Sequence, residues 1–139
     1  MATTTATITL ASTDLLSDSL SLSSTATLYD AGTTTGLTQY DSGKVKIPGD
    51  NNIYILLDST AAAVDKGNRV YVANKNTDET HYVIISIDEA VLGRLYGGDW
   101  MFIPWSQADA AANLEVKAPN EVNEVEYVIF HEGKTFTGA

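Results

Sequence analysis

The chain of 139 residues contains no cysteine, which excludes disulfides, thiolate nucleophiles and cysteine metal sites together. Two histidines, His81 and His131, leave little material for a histidine-based metal centre or triad. Cations are scarce as well: eight Lys and Arg stand against eighteen Asp and Glu, a formal net charge of −10. No Lys or Arg precedes Lys44, and the rest are scattered as far as Lys134. A chain this acidic has no electrostatic footprint for coating nucleic acid or anionic lipid. Apolar runs are short, none near the ~18 residues of a membrane span. The first residues lack the basic stretch and apolar centre of a secretory signal. No serine sits in a Gly-x-Ser-x-Gly elbow, and no glycine-rich phosphate loop occurs; Gly93, Gly97 and Gly98 miss the dinucleotide spacing. The expectation is a chain without catalytic residues, cofactor or metal.

What is present is alternation. The first 42 residues hold 12 Thr and 7 Ser, a bias that in other settings marks disorder. Here Ala6, Ile8 and Leu10 alternate with Thr5, Thr7 and Thr9. Leu20, Leu22, Ala26 and Leu28 then keep a period of two against Ser and Thr. Period two with β-branched Thr predicts strands near 5–11 and 19–29, each with an apolar and a hydroxyl face. Residues 1–12 have two readings: the first strand of the domain, or an arm that leaves at Ser12-Thr-Asp14 and adds to a neighbour's sheet edge. Residues 13–139 read as one domain.

Further strands are expected at Lys44–Ile47, Ile53–Leu57, Arg69–Ala73, Thr80–Ile87, Leu114–Lys117 and Val125–Phe130, with turns such as Tyr29–Gly36 and Pro119-Asn120 between them. The continuous apolar run Ile53–Leu57 suits a strand buried on both faces. Leu92–Tyr96 and Trp100–Trp105 flank Gly97-Gly98-Asp99 and read as a tight hairpin. Ala61–Ala63 and Ala110–Ala112 mark the two places where a short helical turn fits. About nine or ten short strands and no long amphipathic helix predict an all-β fold, a single sandwich, jelly-roll-like or immunoglobulin-like.

The polar candidates have bland readings. Asp88-Glu89 and Asp78-Glu79 are sequence neighbours in turns, and neighbours on an extended chain point to opposite faces. Asn74, Asn76 and Asp78 alternate like the start of a calcium loop, but the glycine and the later glutamate of that loop are missing. Asn and Asp at such spacing are also ordinary turn residues. His81 shares its strand parity with Val83, Ile85 and Ile87 and reads as a hydrogen-bonded structural histidine.

The aromatic stretch carries more information. Tyr96, Trp100, Phe102 and Trp105, four of the twelve aromatics, fall within ten residues. Trp100 and Phe102 share one strand face; Met101, Ile103 and Trp105 share the other. The first pair is expected in the core. The second set is then an apolar face covered by another layer or by another chain, a protein partner being the simpler explanation in a domain this small. The candidate partner-contact residues are therefore Ile8 and Leu10 near the N-terminus, with Tyr96, Met101, Ile103 and Trp105 in this stretch.

Three segments resemble small virion structural proteins of tailed bacteriophages, above all phages of marine cyanobacteria. They are Met1–Leu10 with the Ser/Thr-rich strand to Leu28, Arg69–Asn74 leading into Tyr82–Asp88, and Gly93–Ser106. The resemblance implies a capsid decoration (cement) protein on the outer surface of a phage head, made in the bacterial host cytoplasm. It implies the major capsid protein or other virion proteins as partners, and a homo-oligomer, commonly a trimer. A neck, tail or fibre component is the alternative within the class. A carbohydrate-binding module using the aromatics near Trp105 is the rival outside it, and a small hydrolase has no motif in its favour.

Overall fold

The structure, a computed structural model, describes residues 4–15, 18–28, 37–58, 68–105 and 113–132. Ten strands follow in order: β1 (Thr4–Leu15), β2 (Asp18–Leu28), β3 (Leu37–Ile47), β4 (Ile53–Leu57), β5 (Arg69–Asn74), β6 (Tyr82–Ile87), β7 (Ala90–Tyr96), β8 (Trp100–Pro104), β9 (Leu114–Lys117) and β10 (Asn123–Glu132). Eight of them make two four-stranded antiparallel sheets. The front sheet runs β3-β10-β5-β8 and the back sheet β4-β9-β6-β7. Counting from β3, these orders are 1-8-3-6 and 2-7-4-5, the strand order of a jelly roll. The protein is an all-β sandwich, and the strand order selects the jelly roll over the immunoglobulin-like arrangement. No helix occurs among the described residues; both alanine-rich candidates lie outside them.

The core is built by strand parity. Val70, Val72, Val125, Ile129 and Ile47 point inward from the front sheet, and Val83, Ile85, Leu114, Val116 and Leu57 meet them from the back. Burial of β-branched side chains on two facing pleats supplies the main stabilisation, about 1.5–3 kcal/mol for each large aliphatic group.

Four expectations are corrected here. Lys44–Ile47 is only the end of β3, which runs back to Leu37 because β10 offers a partner along its whole length. Ile53–Leu57 is not covered on both faces. It forms the edge strand β4, paired with β9 alone, and Ile55 is 55% exposed on its outer side. Gly97-Gly98-Asp99 does not close a hairpin either: β7 pairs with β6 in the back sheet, and β8 with β5 in the front sheet. The tripeptide is an arch between the layers. Gly98 has φ +91°, and a Cβ on Gly97 would stand 2.2 Å from the carbonyl oxygen of Asp78. The real hairpin joins β6 to β7 through Asp88 (φ 48°) and Glu89 (φ 65°). Two left-handed residues in a two-residue loop match the twist of the paired strands.

The fourth correction concerns the N-terminus. β1 and β2 pair with each other as a two-stranded sheet, with Ala6 opposite Ala26 and Leu10 opposite Leu22. β1 continues past residue 12, with a register irregularity between Ser12 and Leu15 in place of a break. β1 and β2 thus make one two-stranded sheet, and β1 extends to Leu15. The turn segment 29–36 and the tail 133–139 lie outside the described residues.

Candidate functional site

The outer face of the front sheet follows from the parity that fills the core. With Val70 and Val72 turned inward, Arg69, Tyr71 and Ala73 of β5 must point out. The register sets Tyr71 beside Phe102 of β8 and Val128 of β10, and Ala73 beside Trp100 and Glu126. Trp100 is 51% exposed, while Tyr71, Phe102, Val128 and Phe130 are half-buried. The small Ala73 leaves room for the indole to lean toward Tyr71, with ring centroids 6.2 Å apart and planes at 34°. Phe102 and Phe130 meet edge-on at 6.3 Å and 65°. Lys44 Nζ lies 3.7 Å from Glu126 Oε2 on the same face. A depression of about 310 Å³ is lined by Ser42, Gly43, Lys44, Glu126 and Val128, the last of which is the register partner of Tyr71. The face is therefore an aromatic strip with an exposed ion pair, Lys44–Glu126, at its side.

The assignment of the two parities of β8 is the reverse of the expectation. Trp105, just beyond the strand, is 2% exposed, and its backbone N–H donates to the backbone carbonyl of Asn68 at 2.8 Å. Met101 and Ile103 are partly buried and pack on the core. Trp100 and Phe102 face outward. The cause is the arch: because β8 joins β5, the neighbours Val72 and Val70 draw Met101 and Ile103 into the sandwich. The six candidate partner-contact residues thus lie in three places. Ile8 and Leu10 are exposed on the β1–β2 hairpin, Tyr96 is exposed on the back sheet, and Met101, Ile103 and Trp105 line the interior. Tyr71, Val128 and Phe130 were not singled out from the sequence. Their signal is the parity opposite to Val70/Val72 and to Val125/Ile129.

The outer side of the back sheet carries a smaller cluster. Tyr82 and Tyr96 are direct cross-strand partners with ring centroids 5.3 Å apart, and Arg94 Cζ stands 4.6 Å from the Tyr82 ring centroid. On β9 of the same sheet, Glu115 is buried. Its Oε2 accepts from Ser86 Oγ at 3.1 Å and from the Glu89 N–H at 2.8 Å, which ties the β6–β7 turn to β9.

A third polar group closes one end of the sandwich. Asn74, Asn76 and Asp78 make three successive turns in which each side-chain oxygen accepts from the N–H two residues on: Asn74 from Asn76 at 3.0 Å, Asn76 from Asp78 at 2.9 Å, Asp78 from Thr80 at 2.9 Å. The Thr80 hydroxyl also donates to Asp78 Oδ1 at 2.6 Å, and these bonds hold the carboxyl below its ordinary pKa. The buried Asn74 amide donates to the Leu95 carbonyl and to Asn123 Oδ1, while Asn76 Nδ2 donates to the same oxygen at 3.0 Å and lies 3.2 Å from His81 Nδ1. His81 Nε2 is 3.5 Å from Asp78 Oδ2. The alternation that resembled a calcium loop therefore spends its oxygens on the local backbone. The adjoining pocket, lined by Thr80, His81, Tyr82, Pro119, Asn120 and Glu121, holds about 70 Å³. Small-molecule sites run to about 300–1,000 Å³. Among the described residues, no three His, Asp or Glu side chains converge as a metal site.

No protein-family model, curated protein or solved structure matches the chain.

Proposed function

We propose that the protein is a non-catalytic structural component of a phage particle, a decoration protein that seats the front sheet on major capsid subunits at the outside of the head. The observation that carries this reading is the aromatic strip. Trp100, Phe102, Tyr71 and Phe130 point away from a core that the opposite parity already fills. A sandwich has two layers, so a third apolar layer calls for a second molecule. Aromatic side chains at the centre of such a face act as anchors. The resemblance of Gly93–Ser106 to virion proteins points the same way, since that segment supplies β8. Jelly rolls recur in viral capsid and lectin domains, which is an analogy of fold alone. The charge of −10 fits an outer position, away from packaged DNA.

The test is cosedimentation of the purified protein with phage heads that lack it. Saturable binding that Trp100→Ala weakens at least about tenfold, with the melting temperature little changed, supports the reading. Binding to tails or necks in place of heads moves the protein to the neck, tail or fibre class. A sugar-binding module centred on Trp105 loses its central ring to the core, but Trp100 and Tyr71 offer another stacking platform. Recognition of a defined oligosaccharide on a glycan array, without binding to particles, overturns the capsid reading in favour of that one.

A further inference from the structure

The β1–β2 hairpin raises a separate question, because β1 and β2 pair only with each other and apolar side chains along them are exposed. Leu10 is 51% exposed, and Ile8 and Leu22 are exposed beside it. On the other face Thr7 Oγ1 and Thr25 Oγ1 are 2.9 Å apart, a hydrogen bond across the strands. A lone two-stranded hairpin is marginal in water. Residues 4–13 and 19–28 contain no charged side chain and no proline, the guards that natural sheet edges use against pairing.

We propose that this hairpin is the protein's self-association element, and that its apolar face is covered by the same face of a second copy. Charge selects that occupant. Every copy carries −10, none of it within residues 4–13 or 19–28; the hairpin's own carboxylates, Asp14 and Asp18, stand beyond these stretches, near the β1–β2 turn. Two copies repel through their sandwiches and can approach closely only where charge is absent. A basic partner would be drawn to the sandwich, not to the hairpin. The register adds shape. Rows on the face run Ala6/Ala26, Ile8/Ser24 and Leu10/Leu22. A two-fold axis crossing the strands at the Ile8/Ser24 row lays the Leu10/Leu22 row of one copy over the Ala6/Ala26 row of the other, large against small. Such a contact is self-complementary, as an isologous dimer requires. Nine residues at about 3.4 Å rise and two strands about 4.8 Å apart give a face of roughly 30 Å by 10 Å. That is well under the ~800 Å² per partner of a standard stable interface. The association is therefore reversible and concentration-dependent. This inference stands apart from the capsid reading: it concerns copies of the chain in solution, whatever the front sheet binds.

The absence of cysteine makes the test direct. In full-length protein, Ile8→Cys places one thiol per chain at the two-fold row, and Thr9→Cys places it on the hydroxyl face. Under mild oxidation Ile8→Cys is expected to form disulfide dimers at least about tenfold faster than Thr9→Cys. Sedimentation of the wild type is expected to show a monomer–oligomer equilibrium at concentrations up to about 1 mM. Leu10→Asp with Leu22→Asp should abolish it, and Thr7→Asp with Thr25→Asp should not. A wild type that stays monomeric throughout, equal cross-linking of the two cysteine variants, or equal loss from both aspartate pairs overturns the proposal. Heads that bind a strictly monomeric protein would sink this inference and leave the capsid reading standing.

Discussion

At the residue scale the two tryptophans separate stability from recognition. Trp105 is enclosed, and truncating a buried aromatic costs about 3–5 kcal/mol. Trp100 is half exposed, with its buried edge against Tyr71. Trp105→Ala is expected to lower stability to chemical denaturation by that 3–5 kcal/mol, and Trp100→Ala by about 1 kcal/mol or less. Equal losses would mean that the outward ring is covered within the chain. A second residue-scale case is Asp50. Its carboxylate accepts from the Tyr54 hydroxyl at 2.6 Å, from the Asn52 N–H at 3.1 Å and from Asn52 Nδ2 at 3.0 Å. The Tyr54 bond is the largest cause that holds its pKa below the ordinary 3.8. A carboxyl depressed in the folded state contributes stability that is full above the unfolded value. That contribution fades as pH falls through the lower folded value. Tyr54→Phe keeps the ring and removes the donor. Its melting temperature should lie below wild type at pH 7, and the gap should close as pH drops from about 4 toward 2. A gap that stays constant with pH would remove Asp50 from the account.

At the element scale the connections decide which face of a strand is inside. Glu89 sits at φ 65° in the β6–β7 turn. A left-handed residue with a side chain costs about 1–2 kcal/mol, and glycine loses about 0.5–1 kcal/mol of that advantage through its unfolded-state freedom. Glu89→Gly keeps the N–H that bonds Glu115 and is expected to stabilise by about 0.5–1 kcal/mol in urea unfolding. Gly97→Ala should do the opposite, by about 2–3 kcal/mol, because the new Cβ meets the backbone carbonyls of Asp78 and Asn76. If both substitutions are neutral, neither turn is constrained as described. These turns also explain what the sequence could and could not disclose. Strand positions and their alternation were legible at Arg69–Asn74, Tyr82–Ile87 and Leu114–Lys117, because period two is a local property. The two parities of β8 were legible as two apolar sets. Which set faces inward was not, because that depends on pairing with β5, a partner about thirty residues away. A glycine-rich arch between layers and a glycine-rich hairpin within one sheet share the same local composition. Likewise the apolar run Ile53–Leu57 signalled a strand, but its edge position depends on β9, far along the chain.

At the scale of the whole molecule, composition and topology divide the surface by charge. The hairpin carries two carboxylates, Asp14 and Asp18, near the β1–β2 turn, and offers only methyl, aliphatic and hydroxyl groups from Thr4 to Thr13 and Ser19 to Leu28. Two forces then oppose each other when copies meet: apolar burial on the hairpins and repulsion between bodies of charge −10. Salt acts on the second and hardly weakens the first. Raising ionic strength from about 0.01 M to about 0.15 M shortens the screening length from about 30 Å to about 8 Å, which removes most of the repulsion between the bodies. Self-association should therefore strengthen with added salt, seen as a rise in weight-average mass at fixed protein concentration in sedimentation equilibrium. An interface made from opposite charges, such as Lys44 and Lys46 of one copy on the carboxylates of another, would weaken over the same range. The Leu10→Asp/Leu22→Asp variant provides the internal control. If its mass rises with salt as steeply as that of the wild type, the association runs through the sandwich and the hairpin has no part in it.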